Sequence, residues 1–156
     1  MNRPRINQPS DLRFVDGSLR DVYVFNTTIE DWETLIAFAR AHKHEYTKDG
    51  VVAVLPNAKA LLGDREHSHL LSVQAGNVSI NCHFFILEEI ELDIDPREIA
   101  GPEEHACVLR FIEQLAEATQ KDVVITAENS PDAALLRYVH LRHVWHIYEL
   151  GAHNDA

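Results

Sequence analysis

The sequence predicts an α+β fold: a mainly antiparallel sheet with two principal helices in a single compact domain. Three observations lead there. Short apolar or alternating runs come in clusters separated by turn residues. Two longer segments repeat apolar residues at three- and four-residue spacing, as a helix with one buried face does. Those helical segments fall between clusters of strands instead of after every strand. At 156 residues the chain suits one domain with a core large enough to need no staples.

Residues 1–17 hold two prolines and few apolar anchors, and read as a flexible N-terminal arm. The domain proper spans 18–150. Leu19–Asn26 reads as a strand with Val22, Tyr23, Val24 and Phe25 as its body. Thr27-x-x-Glu30 matches a capping box. The helix after it carries Ile29, Trp32, Ile36 and Ala39 on one stripe and should stop near His42–His44. Glu45–Thr47 and Val51–Leu55 flank Lys48-Asp49-Gly50, a hairpin turn whose Asp and Gly tolerate positive φ. Pro56 can open a short helix through Leu62, with Gly63 as its stop. Leu70–Gln74 and Val78–Phe85 form a second hairpin, and a third strand continues it after Glu88. Gly101-Pro102-Glu103-Glu104 starts a helix whose stripe is Val108, Phe111, Ile112, Leu115 and Thr119. Asp122–Thr126 is another strand. Ser130-Pro131-Asp132 either caps a short helix over Ala133–Tyr138 or enters an edge strand. His143–Leu150 looks extended, and 151–156 reads as a frayed tail.

Charge is the deviation in composition, with a net value of −11. Ile86–Glu104 alone holds eight acids against one Arg97. Such a chain repels nucleic acid and anionic lipid, which need clustered Lys or Arg. The expectation is therefore no nucleic acid, no membrane and a cationic partner. Within that stretch Glu89-Ile90-Glu91-Leu92-Asp93-Ile94-Asp95 alternates strictly. If extended, it points Ile90, Leu92 and Ile94 into the core and Glu89, Glu91, Asp93 and Asp95 the other way.

Asp93 and Asp95 with Glu91 also have the oxygen chemistry of a Mg²⁺ or Ca²⁺ ligand set. His140-x-x-His143-x-x-His146 offers imidazoles at the spacing a helix could turn toward zinc. Neither run matches HExxH or a finger pattern, and a phosphate-cleaving site would also want a Lys and a positive groove. No nucleophile elbow or glycine-rich loop appears, so no catalytic residue and no cofactor are assigned. Cys82 and Cys107 make neither a CxxC pair nor a disulfide framework, which fits free thiols in a reducing compartment. Without an apolar leader or span, a cytoplasmic location is expected. Trp145 and Tyr148 stand among Arg137, Arg142 and histidines, the aromatic and Arg mixture of interface hot spots.

The segments SLRDVYVF, TTIEDW, VSINCHFFILEEIELDIDPREI and VVITAENSP, within residues 18–131, resemble a group of small acidic bacterial proteins. In size, acidity and mixed layout the chain is also similar to the immunity proteins of bacterial toxin systems. That resemblance implies an intracellular, non-enzymatic binding protein that covers a basic partner such as a toxin, and it assigns no individual residue. The partner-binding residues expected on charge and aromatic grounds are Glu88, Glu89, Glu91, Asp93, Asp95, Glu98, Trp145 and Tyr148. Two further readings stand beside this one. The first is a small metal-dependent hydrolase using histidines and Asp93/Asp95. The second is a homo-oligomer, for instance a homodimer, joined through its C-terminal segment.

Overall fold

The structure is a computed structural model that describes residues 3–5, 12–13 and 15–148. Strand β1 (Arg20–Phe25) leads into helix α1 (Ile29–Arg40), then the hairpin of β2 (His44–Lys48) and β3 (Val51–Ala53). Helix α2 (Ala58–Gly63) connects to the meander β4 (His69–Ala75), β5 (Val78–Ile86) and β6 (Glu89–Ile94). After a single 3₁₀ turn comes α3 (Pro102–Thr119), and a second meander follows: β7 (Val123–Ala127), β8 (Ala134–Val139) and β9 (Val144–Ile147). All nine strands form one sheet in the order β3-β2-β4-β5-β6-β1-β7-β8-β9, and every ladder is antiparallel. The α+β class is as the periodicity predicts, with α1 and α3 as its principal helices.

The helices cover one face of the sheet. Val22 and Val24, Leu71 and Val73, Ile80 and Cys82, Ile90, Leu92 and Ile94, Val123 and Ile125, and Leu136 and Tyr138 all point to it. The helical stripes meet them there: Trp32, Leu35 and Ile36 from α1, and Val108, Phe111, Ile112 and Leu115 from α3. Burial of that apolar area is the main stabilising term.

Two local expectations shift. The capping box of α1 is Thr28 with Asp31, one residue beyond Thr27 and Glu30. Thr27 is drawn instead to the β5–β6 turn, donating its backbone N–H to Glu88 O (3.0 Å) and its hydroxyl to Leu87 O (2.8 Å). The stretch after Pro131 is neither a helix nor an edge strand but an interior one between β7 and β9, with Leu136 and Tyr138 turned inward and Arg137 outward. A 3₁₀ turn at His140–Arg142, with His143 left-handed (φ 52°), reverses the chain into β9.

Leu12, within the stretch read as an arm, is 1% exposed and belongs to the core. Arg3 forks onto Glu113 of α3 at 2.7 and 2.8 Å. The tail 151–156 lies outside the described residues. At the sheet margin, Val51, Val52 and Val54 of the β3 segment are exposed, so this edge strand is apolar and lacks inward packing. Among the described residues no helix is long and apolar enough to cross a membrane.

Candidate binding surface on the helix-free sheet face

The strands send every second side chain to the face without helices, and register aligns these into rows. One row runs Ser72, Asn81, Asp93, Asp21, Thr126 from β4 to β7. The next runs His83, Glu91, Tyr23, Val124, Arg137, His146 from β5 to β9. A third pairs Glu89 with Phe25. By residue type the face is acidic across β6 and β1, apolar at Val124, and basic at β8 and β9, with Asp21, Tyr23, Val124 and Thr126 themselves buried.

Glu89, Glu91 and Asp93 are half-buried, so the acidic row is not a fringe of free carboxylates. Asp93 accepts from Asn81 Nδ2 (3.0 Å) and from His83 Nε2, while Asn81 in turn accepts from the Ser72 hydroxyl (2.6 Å). The hydrogen bond to Asp93 and its charge hold the His83 imidazole above the usual histidine range, against burial. The Tyr23 hydroxyl stands between Asp21 (3.3 Å) and Glu91 (3.2 Å), and its one proton serves one of them at a time. Asp21, only 4% exposed, also accepts from the Asn129 backbone N–H (2.7 Å). Burial raises the pKa of both Asp21 and Glu91, with neighbouring carboxylates adding to it.

Aromatic rings pair along the strands on this same face. His83 stacks on Phe85 and Tyr23 on Phe25, each with centroids 5.2 Å apart, and His146 stacks on Tyr148 at 4.7 Å. The β5–β6 turn ends the acidic side of the face with Phe85, Ile86 and Leu87 exposed, Phe85 to 55%. These side chains sit on a fixed backbone. Leu87 O accepts from Trp32 Nε1 as well as from Thr27 (both 2.8 Å), and Phe85 O accepts from Arg65 (2.7 Å).

The residues singled out from sequence divide accordingly. Glu89, Glu91, Asp93 and Tyr148 lie on the helix-free face, and Glu88 is exposed at its turn. Asp95 falls just beyond β6, where it caps the 3₁₀ turn and chelates Arg97, so it leaves the row. Glu98 is exposed and accepts from the Ser79 N–H (2.8 Å). Trp145, expected at a partner surface, is 8% exposed on the opposite face, with Nε1 donating to Glu113 (2.8 Å). Burying the indole leaves no surface on it for a partner. His140 and His143 meet Glu117 (3.7 and 2.7 Å) near the end of α3, whereas His146 points away with Arg137. Among the described residues no three His, Cys, Asp or Glu side chains gather as a metal would require. Both cysteines are unpaired, and burial raises the Cys82 thiol pKa.

Asp21, Tyr23, His83 and Phe85 were not singled out as site residues. Their signal in sequence is weak: D-V-Y-V-F and N-C-H-F-F carry apolar residues on both faces and do not alternate strictly as the acidic run does. Comparison with protein-family models, curated proteins and solved structures finds no match.

Proposed function

We propose that the protein is a non-enzymatic binding module, immunity-like in mode, that covers a basic partner protein with the acidic side of its helix-free sheet face. The observation that carries this reading is the junction of a half-buried carboxylate row, Glu89, Glu91 and Asp93, with a rigidly held apolar turn at Phe85–Leu87. Charge alone supplies steering and orientation, and an exposed aromatic on a fixed backbone supplies an anchor at little entropic cost. The aromatic faces of Phe25 and Phe85 beside carboxylates suit Arg and Lys side chains, which gain both ion pairing and cation–π contact. Two unpaired cysteines support action in a reducing compartment such as the cytoplasm.

The test is affinity capture with wild type, with a Glu89→Gln/Glu91→Gln/Asp93→Asn variant and with Phe85→Ser. A captured basic protein should be lost from the first variant and weakened by roughly tenfold or more in the second. Its association rate with wild type should fall steeply with added salt. Equal recovery by all three proteins removes this face from the explanation.

A further inference from the structure

A cleft of about 510 Å³ opens where the basic side of the same face meets the end of α3. Phe25, Lys121, Asp122, Arg137, His140 and Leu141 line it, and the left-handed Gln120 (φ 57°) turns the chain so that 121 and 122 enter it. In a molecule of net charge −11 this cleft gathers two cations, Lys121 and Arg137, with Asp122 in its lining and Asp31 3.7 Å from Lys121.

Its cations have donor capacity to spare. Lys121 Nζ comes no nearer than 3.7 Å to Asp31, and Arg137 Nη1 no nearer than 3.6 Å to Asp122, both beyond hydrogen-bond distance. Arg137 spends Nε on the Tyr148 hydroxyl (3.3 Å), which fixes the guanidinium without using its terminal nitrogens. Asp122 Oδ1 accepts the His140 backbone N–H (3.0 Å). His140 Nδ1 is buried with no hydrogen-bond partner among the described residues, 3.7 Å from Glu117. At the rim Leu141 is 84% exposed, an apolar side chain with nothing in the fold to pack on.

We propose that this cleft binds a small organic anion, a carboxylate or phosphate monoester whose apolar part rests against Phe25 and Leu141. Its size is that of a small-molecule site, and two basic side chains with unused donors beside apolar Phe25 and Leu141 are the chemistry such a ligand needs. The proposal shares Phe25 with the partner-binding reading but rests on Lys121 and Arg137, which that reading does not use.

Amide NMR titration of the ¹⁵N-labelled chain with phenyl phosphate, benzoate and inorganic phosphate, at constant ionic strength, tests it. The expected result is saturable shifts at Asn26, Lys121, Asp122, Arg137 and Leu141, with a Kd of about 1 mM or tighter for one organic anion. Preference for phenyl phosphate over benzoate identifies a phosphate ligand, and the reverse a carboxylate. Lys121→Gln/Arg137→Gln should weaken binding roughly tenfold or more, and Leu141→Ser should abolish the advantage over inorganic phosphate. If loss of the Arg137–Tyr148 contact disturbs the spectrum, Lys121→Gln alone should still weaken binding. Absence of saturable shifts with all three anions, or unchanged affinity in the Lys121 variants, overturns the proposal.

Discussion

Asp21 and Asp93 face each other directly across β1 and β6, with Glu91 one row away. Like charges in that position repel, and hydrogen-bond donors ease the repulsion. Asp93 has them, in Asn81 and His83, so the cost is shared with an imidazole whose charged form the carboxylate stabilises. The linkage has a definite sign. A histidine with a raised folded pKa adds stability that is complete below its unfolded value, about 6.5, and lost as pH rises through the folded one. We expect His83, followed by ring-proton NMR, to titrate above the usual histidine midpoint. In Asp93→Asn the midpoint should fall, because burial then acts with less to oppose it. An unchanged midpoint would show that the pair does not set the charge.

At the scale of elements, the capacity of sequence to report structure follows the range of the interaction. The stripes of α1 and α3, the Asp49-Gly50 turn and the in-out alternation of β6 are set by neighbours a few residues away, and each is readable. Glu113 is not. It lies on the buried side of α3, where a lone carboxylate costs several kcal/mol. Its partners come from Arg3 and Trp145, far off in the chain, and no local pattern marks that convergence. The same distance explains why Trp145 is buried although its aromatic and cationic neighbours in sequence suggest a surface, since His146 and Tyr148 lie on the other side of the sheet. Burial works to raise the Glu113 pKa, but the Arg3 and Trp145 hydrogen bonds and the Arg3 charge overcome it and hold it below the usual carboxylate range. A lowered carboxyl pKa adds stability above the unfolded value and loses it as pH falls through the folded one. Arg3→Ala should therefore cost roughly 1–3 kcal/mol at neutral pH, discounted for the partly exposed guanidinium. Urea unfolding should show the difference shrinking below about pH 4. A variant as stable as wild type at pH 7 would mean that Arg3 does not clamp α3.

For the whole molecule the distribution of charge matters more than its sum. Net −11 serves solubility, yet three of its acids, Glu89, Glu91 and Asp93, are half-buried along one strand, where screening by water is weaker. Solubility would be served as well by acids at loops and helix surfaces, so the half-buried placement carries a cost to the fold that the proposed partner binding would offset. Glu91 measures that cost. Burial, with Asp21 and Glu89 nearby, raises its folded pKa, so its ionised form penalises the native state above that value and not below the unfolded one. Glu91→Gln keeps an acceptor for Tyr23 and removes the charge. It should gain a few tenths to about 1 kcal/mol at pH 7 and lose that gain below roughly pH 4. Added salt should stabilise wild type more than the variant, since only wild type carries that charge to screen. The same substitution should weaken capture of a basic partner, so stability and binding would move in opposite directions. A variant less stable than wild type at pH 7 would make the acidic row a support of the fold, and its placement would then need no partner to account for it.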